Sequence, residues 1–359
     1  MKNINLTQKN AKLLLCMFSI IIISVTGCKK ENNPAPKQQQ TTVTGPYLYV
    51  GGSASLKGVY YKVSLSQAGA KFTTDTLANA GERINSIITY GQDVYMTGQA
   101  GGYWKNNSFV PVTGASSVFY LTLSGNNVYT TGFDNTGNMA YWINNTETNL
   151  QNTVGRNIFP YQGVSSYSLS GIAVSGTNAL VTGSLSFENE PFSPDTARSG
   201  NFGLLWNNGG VQLFGQGVLL SAVLRETVGV AVAGSDVYVA GIKPDVTYAG
   251  GYWKNGAWNS INNGVFNALA ITTNGSDVYI AGSIPGSTGS SYQGVYWKNG
   301  TIVNIGNAGS VTAIAVNGTD VYALGVDHNL NNVVWKNGAV FATLGTLNSQ
   351  TVTCMAIGN

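Results

Sequence analysis

The stretch "GSDVYIAG" at residues 275–282 decides how this chain is read. Gly-Ser supplies a two-residue turn, and "DVYIAG" after it has the β-branched and aromatic content of a short strand. Five other segments repeat the phrase: "DVYMTG" (93–98), "NVYTTG" (127–132), "NALVTG" (178–183), "DVYVAG" (236–241) and "DVYALG" (320–325). From Tyr95 to Tyr322 there are five steps over 227 residues, about 45 per repeat. A strand-like phrase recurring every ~40–50 residues has the period of a β-propeller blade.

Each copy is framed in the same way. An apolar phrase precedes it, such as "GIAVSG" (171–176) or "AIAVNG" (313–318), and an aromatic phrase ending in a turn follows it, such as "GYWKNG" (251–256) or "VYWKNG" (295–300). A weaker polar strand such as "TIVNI" (301–305) completes the unit. Four short strands joined by Asn-Gly or Gly-Ser/Thr turns form an antiparallel meander. Both faces of these strands are apolar, so each sheet must be packed on both sides, and a closed ring of sheets satisfies that need.

The two ends of the chain complete the count. "YLYVGG" (47–52) and "GVYYKVSL" (58–65) read as second and third strands with no first strand before them, while "TVTCMAIGN" (351–359) is a first strand with nothing after it. The sequence therefore predicts an all-β fold over residues 46–359: a seven-bladed β-propeller of four-stranded antiparallel blades, closed by the C-terminal strand joining the N-terminal blade. "GIAV", "DVYVAG" and the strand after them resemble the first three strands of NHL-type and YVTN-type propeller repeats, and the whole is similar to propeller lipoproteins of the Bacteroidota. That resemblance covers nearly the whole of the propeller region. It implies that the first strand of each blade lines a central channel and the fourth lies outermost, and it specifies a blade without an activity.

The N-terminus has the form of an export signal. Lys2, Lys9 and Lys12 precede the apolar run "LLLCMFSIIIIS" (13–24), and small residues lead to Cys28. The run is too short for a bilayer span, which needs ~20 residues, so residues 1–27 read as a signal peptide. "VTGC" (25–28) resembles the lipobox of bacterial lipoproteins, which implies acylation of Cys28; an ordinary secretory signal with an incidental cysteine is the alternative. Lys29 stands where enteric lipoproteins held at the inner membrane carry aspartate, and "CKKEN" (28–32) is similar to the charged stretch of surface-exported Bacteroidota lipoproteins. The expected location is thus the outer membrane of a Gram-negative bacterium, on either its periplasmic or its outer side. Residues 28–45, polar and rich in Pro, Gln and Thr, read as the lipidated cysteine and a disordered tether.

Composition excludes several classes of function. Residues 46–359 hold 8 Lys and 4 Arg against 14 Asp and Glu, a balance of −2 that argues against nucleic acid as a partner. The cysteines are Cys16 in the signal, Cys28 at the lipid site and Cys354 alone, and the single histidine is His328. No disulfide framework and no Cys/His zinc cluster is expected, and no metal or cofactor.

The repeated polar residues read as structural. Asp93, Asp236, Asp277 and Asp320 open second strands beside Lys105, Lys254, Lys298 and Lys336, so they are expected to pair across the turns of one face. Trp104, Trp142, Trp206, Trp253, Trp297 and Trp335 recur once per blade and are expected to pack between blades, with a ring of sugar-stacking tryptophans as the alternative.

Turns on that face are tight, whereas the other face receives long segments, among them 151–167, 184–201, 242–250 and 283–294. The non-repeated charges gather there, and the candidate ligand-binding residues are Glu188, Glu190, Asp195, Arg198, Arg225, Asp245, Asp327 and His328. Glu188 and Glu190 could act as an acid–base pair, or with Asp195 hold a hard cation, although no metal-loop spacing is met and a solvated loop is the alternative. The reading is a lipid-anchored envelope propeller that binds or scaffolds a glycan, peptide or protein through its long-loop face, and it leans away from catalysis. A glycan-active hydrolase or lyase with carboxylates at the channel mouth is the alternative.

Overall fold

A computed structural model describes residues 45–66, 71–77, 83–151, 164–191, 197–207, 210–214, 227–243, 250–261, 266–286, 291–346 and 350–358. The protein is all-β, with seven four-stranded antiparallel sheets arranged as a β-propeller. Six blades are continuous in sequence: blade 1 (86–111), blade 2 (115–149), blade 3 (164–214), blade 4 (227–260), blade 5 (267–304) and blade 6 (308–346). Blade 7 orders Gln350–Gly358, Tyr47–Ala54, Lys57–Ser64 and Thr73–Thr76 from the inside outward. The expected closure is therefore present. Tyr47 lies opposite Gly358 and Ala54 opposite Gln350, so the last strand supplies the innermost position of the first-made blade. The ring is complete within residues 47–358.

Blade 5 shows why the phrase folds as it does. Asn274 faces Asp277 across a turn whose first position is Gly275 at φ +60°, the backbone a II′ hairpin requires. Between the third and fourth strands Asn299 and Gly300 both take positive φ, as a I′ turn requires. The turn from first to second strand and the turn from third to fourth lie at the same end of the sheet in the six continuous blades, which defines the tight-turn face. Connections from second to third strand and from blade to blade define the opposite, long-loop face.

The per-blade tryptophans are buried and pack between blades. Trp335 lies with Tyr279, Tyr296 and Ile305 of the preceding blade, and Trp206 with Tyr129, Met139 and Leu150. The binding-ring alternative for these residues is therefore set aside, because their rings are enclosed.

The glycine that ends each phrase has a steric cause. In blades 2 to 7 the innermost strand bulges opposite it, skipping Phe119, Ser170, Val228, Leu269, Thr312 and Thr353 in the pairing register. The bulge presses an inner-strand carbonyl against the glycine. A Cβ at Gly132, Gly282 or Gly325 would sit 1.9–2.0 Å from the carbonyl oxygen of Ser117, Asn267 or Ser310. No side chain fits there, so the motif glycine and the bulge specify one another.

Candidate functional site

The bulges shape the long-loop end of the channel. A bulge re-aims the side chain it carries, and here the six skipped residues, with Asn85 at the corresponding place in blade 1, form one ring. All seven are half-buried, and all but Phe119 line the central channel, a cavity of about 760 Å³. The first strand of each blade runs toward the tight-turn face. Its start, and hence this ring, lies near the long-loop face.

Going round the ring, Thr312, Thr353 and Asn85 form a polar arc, Phe119 and Ser170 follow, and Val228 with Leu269 form an aliphatic arc opposite. The polar side chains are tied to backbone. Thr353 Oγ1 donates to the Ile84 carbonyl of the next blade, Thr312 Oγ1 to Leu324 O at 3.3 Å, and Asn85 Nδ2 to Gly98 O at 2.7 Å. Thr97 of blade 1 reciprocates by donating to the carbonyl of Phe119 in blade 2 at 2.6 Å. Two of these bonds, from Thr353 and from Thr97, tie the ring across blade boundaries.

Beside this ring a recess of about 410 Å³ opens toward the long-loop face, a size suited to a small ligand. Phe119 and Phe133 meet edge to face at 5.6 Å in its wall, and Tyr167, Leu169 and Leu269 add apolar surface. Arg83 is the single charged side chain among the described residues lining either the channel or the recess. Its Nε donates to Asn85 Oδ1 at 2.8 Å, so Asn85 orients the guanidinium while itself anchored to blade 1.

Cys354 keeps some surface in the channel wall, but its sulfur lies against Gly51 and Ile84, and burial pushes the thiol up to about 12. It is protonated at neutral pH and a poor nucleophile. Among the described residues no group of three or more His, Cys, Asp or Glu converges.

Of the residues expected from sequence, Asp327 and His328 lie together in one hairpin of blade 6. Asp327 is 7% exposed, and its carboxylate organises the hairpin between the second and third strands of blade 6. Oδ1 accepts from the backbone N–H of Asn329 and Asn331 at 2.9 and 2.8 Å, and Oδ2 from the Asn331 and Asn307 amides. Asp134 does the same in blade 2, accepting from Thr136 and Asn138. Burial by itself would raise both carboxyls, but these hydrogen bonds outweigh it and hold them below the usual carboxylate range. His328 is exposed at the hairpin tip, with its N–H donating to Asn307 O.

Segment 184–201, expected as a loop, is largely strand. Asn178–Pro191 pairs with Ala197–Asn207, and Val164 at the start of the inner strand lies opposite Phe187. Where the second strand of blade 4 ends at Ile242, one residue past its motif glycine, that of blade 3 continues eight residues past Gly183. The extra ~7 residues carry this hairpin arm roughly 23 Å further. Glu188 and Glu190 lie on its ascending strand and Arg198 on its descending one, with Glu190 opposite Arg198 in register. They belong to the arm. Asp195, Arg225, Asp245 and Cys28 lie outside the described residues.

No protein-family model matches the chain, and no curated protein sequence does. Among solved structures it is similar to the β-propeller domain of the Trilobed protease from Pyrococcus furiosus, with a TM-score of 0.50 and 12% identity over 86% of this chain and 96% of that one. It is also similar to the Pyrococcus horikoshii acylaminoacyl peptidase, with a TM-score of 0.50 and 13% identity over 85% of this chain. The match spans about half, 51%, of that peptidase. Likeness at such identities shows the propeller fold alone. The Pyrococcus furiosus domain is described as having an open velcro topology, whereas this ring is closed by pairing of Gln350–Gly358 with Tyr47–Ala54.

Proposed function

We propose that this chain is a lipid-anchored, cell-envelope binding propeller that takes its ligand at the long-loop mouth of the channel. The observation that carries the reading is the difference between the two ends of the ring. The mouth holds a recess with aromatic walls and one oriented guanidinium, while the other end is occupied by repeated turns. The chain enters the propeller at Tyr47, at the tight-turn end of its strand. Binding is favoured over hydrolysis because Asp134 and Asp327, the carboxylates of the blade 2 and blade 6 hairpins, are engaged in those hairpins.

The test is a glycan-array and envelope pull-down screen with residues 45–359, run beside Leu269→Trp. Leu269 lines the recess and lies outside the packed interblade clusters, so the larger ring fills the mouth. A ligand recovered intact by the native chain and lost by the variant supports the reading. A ligand recovered cleaved replaces it with the hydrolase or lyase alternative, and a partner retained by the variant moves the site to the arm or to a face. The anchor is tested separately: Cys28→Ala should release the protein from the membrane fraction and lower its mass by the lipid.

A further inference from the structure

Arg83 differs from the other cations whose contacts define this fold. Lys105, Lys254, Lys298 and Lys336 each meet an aspartate at 2.7–2.8 Å on the tight-turn face, and Lys62 sits over the Tyr47 ring at 4.0 Å. Arg83 lies at the opposite end and is exposed, and no described carboxylate pairs with it. Its Nε donates to Asn85 Oδ1, and among the described residues nothing accepts from the two terminal nitrogens, which the fork presents to another acceptor. A guanidinium held by its Nε is preorganised for bidentate contact with a planar anion.

What surrounds the fork restricts that anion. Phe119, Tyr167, Leu169 and Leu269 present an apolar wall, while Ser168 and Asn267 stand at the rim. A bare inorganic anion would leave the wall uncovered, and a neutral apolar ligand would leave the guanidinium without its counter-charge. We infer that the recess binds a carboxylate carried on an apolar body, with Arg83 holding the carboxylate and the aromatic and aliphatic wall covering the body. This rests on the mouth being the binding site. The mixed rim, with amide and hydroxyl groups among apolar ones, suits the C-terminal end of an apolar peptide better than an alkyl chain, which would use no hydrogen bonds along its length.

The test is isothermal titration of residues 45–359 with two matched pairs: N-acetyl-Leu-Phe against its C-terminal amide, and octanoate against octanol. One acid or both should bind at least ~10-fold more tightly than the neutral partner, the factor expected of a charge-assisted bidentate contact. The preference should vanish in Arg83→Gln and shrink as salt is raised. Preference within the peptide pair alone assigns a peptide end, and preference within the alkyl pair alone assigns a fatty acid. Equal binding of acid and neutral forms overturns the carboxylate inference while leaving the mouth as a binding site, and so does an acid preference that survives Arg83→Gln. Absence of binding by all four at millimolar concentration also overturns it, and the pull-down with Leu269→Trp then decides the mouth reading independently. Leu269→Trp should weaken acid and neutral forms alike, and a melting curve for each variant shows that the ring is intact.

Discussion

The tight-turn face says nearly the same thing in most blades, whereas the long-loop face repeats itself only in the aspartate hairpins of blades 2 and 6. In blades 1, 4, 5 and 6 an aspartate meets a lysine at 2.7–2.8 Å, and the neighbouring asparagine bonds both that aspartate and a backbone N–H. In blade 2 Asn127 and Ile143 stand at the charged positions, yet Asn144 still accepts from Val128 N at 3.0 Å and donates to Asn127. In blade 7 the aspartate position is Tyr47, and Lys62 turns to its ring. What persists is the asparagine that fits a left-handed turn residue and satisfies the next strand. The ion pair is an accessory to it, and repeated charge on a repeat protein is here a property of turns. On the other face the bulge is repeated while the side chain it carries changes in each blade, which is how one scaffold holds a site without symmetry.

One deletion and five substitutions test that contrast, from the largest effect to the smallest. Deleting residues 350–358 removes the innermost strand of blade 7 and uncovers Leu48 and Val50. The protein should lose its cooperative thermal transition and elute as aggregate, whereas a native-like melt would show that closure is dispensable. Trp335→Ala opens a fully buried interblade position and should lower stability by ~3–5 kcal/mol in denaturant titration.

Glycine substitutions then compare the two faces directly. Gly282→Ala on the long-loop side drives a methyl into the Asn267 carbonyl and should cost ~1–3 kcal/mol, because backbone must move. Gly275→Ala on the tight-turn side meets nothing within 4 Å but is held at φ +60°. It should cost only ~1–2 kcal/mol, and Gly275→Asn should restore most of it, a rescue that Gly282→Asn cannot give.

Asp327→Asn tests the hairpin carboxylate through pH. Hydrogen bonds depress its folded pKa, so its contribution is complete above the unfolded value of about 4 and is lost as pH falls through the lower folded value. The stability gap between native chain and variant should therefore be present at pH 7 and close on acidification; a gap independent of pH would assign the turn to its backbone. The smallest effect is expected of Asp277→Ala. Lys298 and Asn299 hold that carboxyl below its usual range, but the pair is open to solvent and screened. Its denaturation midpoint should match the native chain within error.

The fold was legible because it is written seven times. A phrase of strand formers with glycine at the turn and glycine at the bulge needs only to be aligned with itself, and the orphan strands at 47–65 and 351–359 then pair by elimination. The site was legible only to its face. Arg83 and Asn85 sit just before a first strand, in "RINS" (83–86), where nothing repeats and one arginine stands out little. A bulge is invisible in a list of residues, so the ring from Asn85 to Thr353 could not be assembled from spacing. Asp327 drew notice because it breaks the repeat, although "DNTGN" (134–138) and "DHNLN" (327–331) share Asp and Asn at the same offset, a pairing that points to turn architecture. Leu185 and Phe187 alternate with serine in "SLSF" (184–187), and that period of two could have identified the arm as strand.

The seam in blade 7 also sets an order of events. Its two partners, Tyr47–Ala54 and Gln350–Gly358, are about 300 residues apart in the chain. A ribosome working at 5–20 residues per second needs roughly 15–60 s to make that interval. Throughout it the first hairpin to emerge has one edge unpaired, and no amount of correct folding in the six blades that follow can satisfy it. The propeller is finished only when its last nine residues arrive, so the nascent chain depends for most of its synthesis on whatever keeps an open β-edge from finding the wrong neighbour.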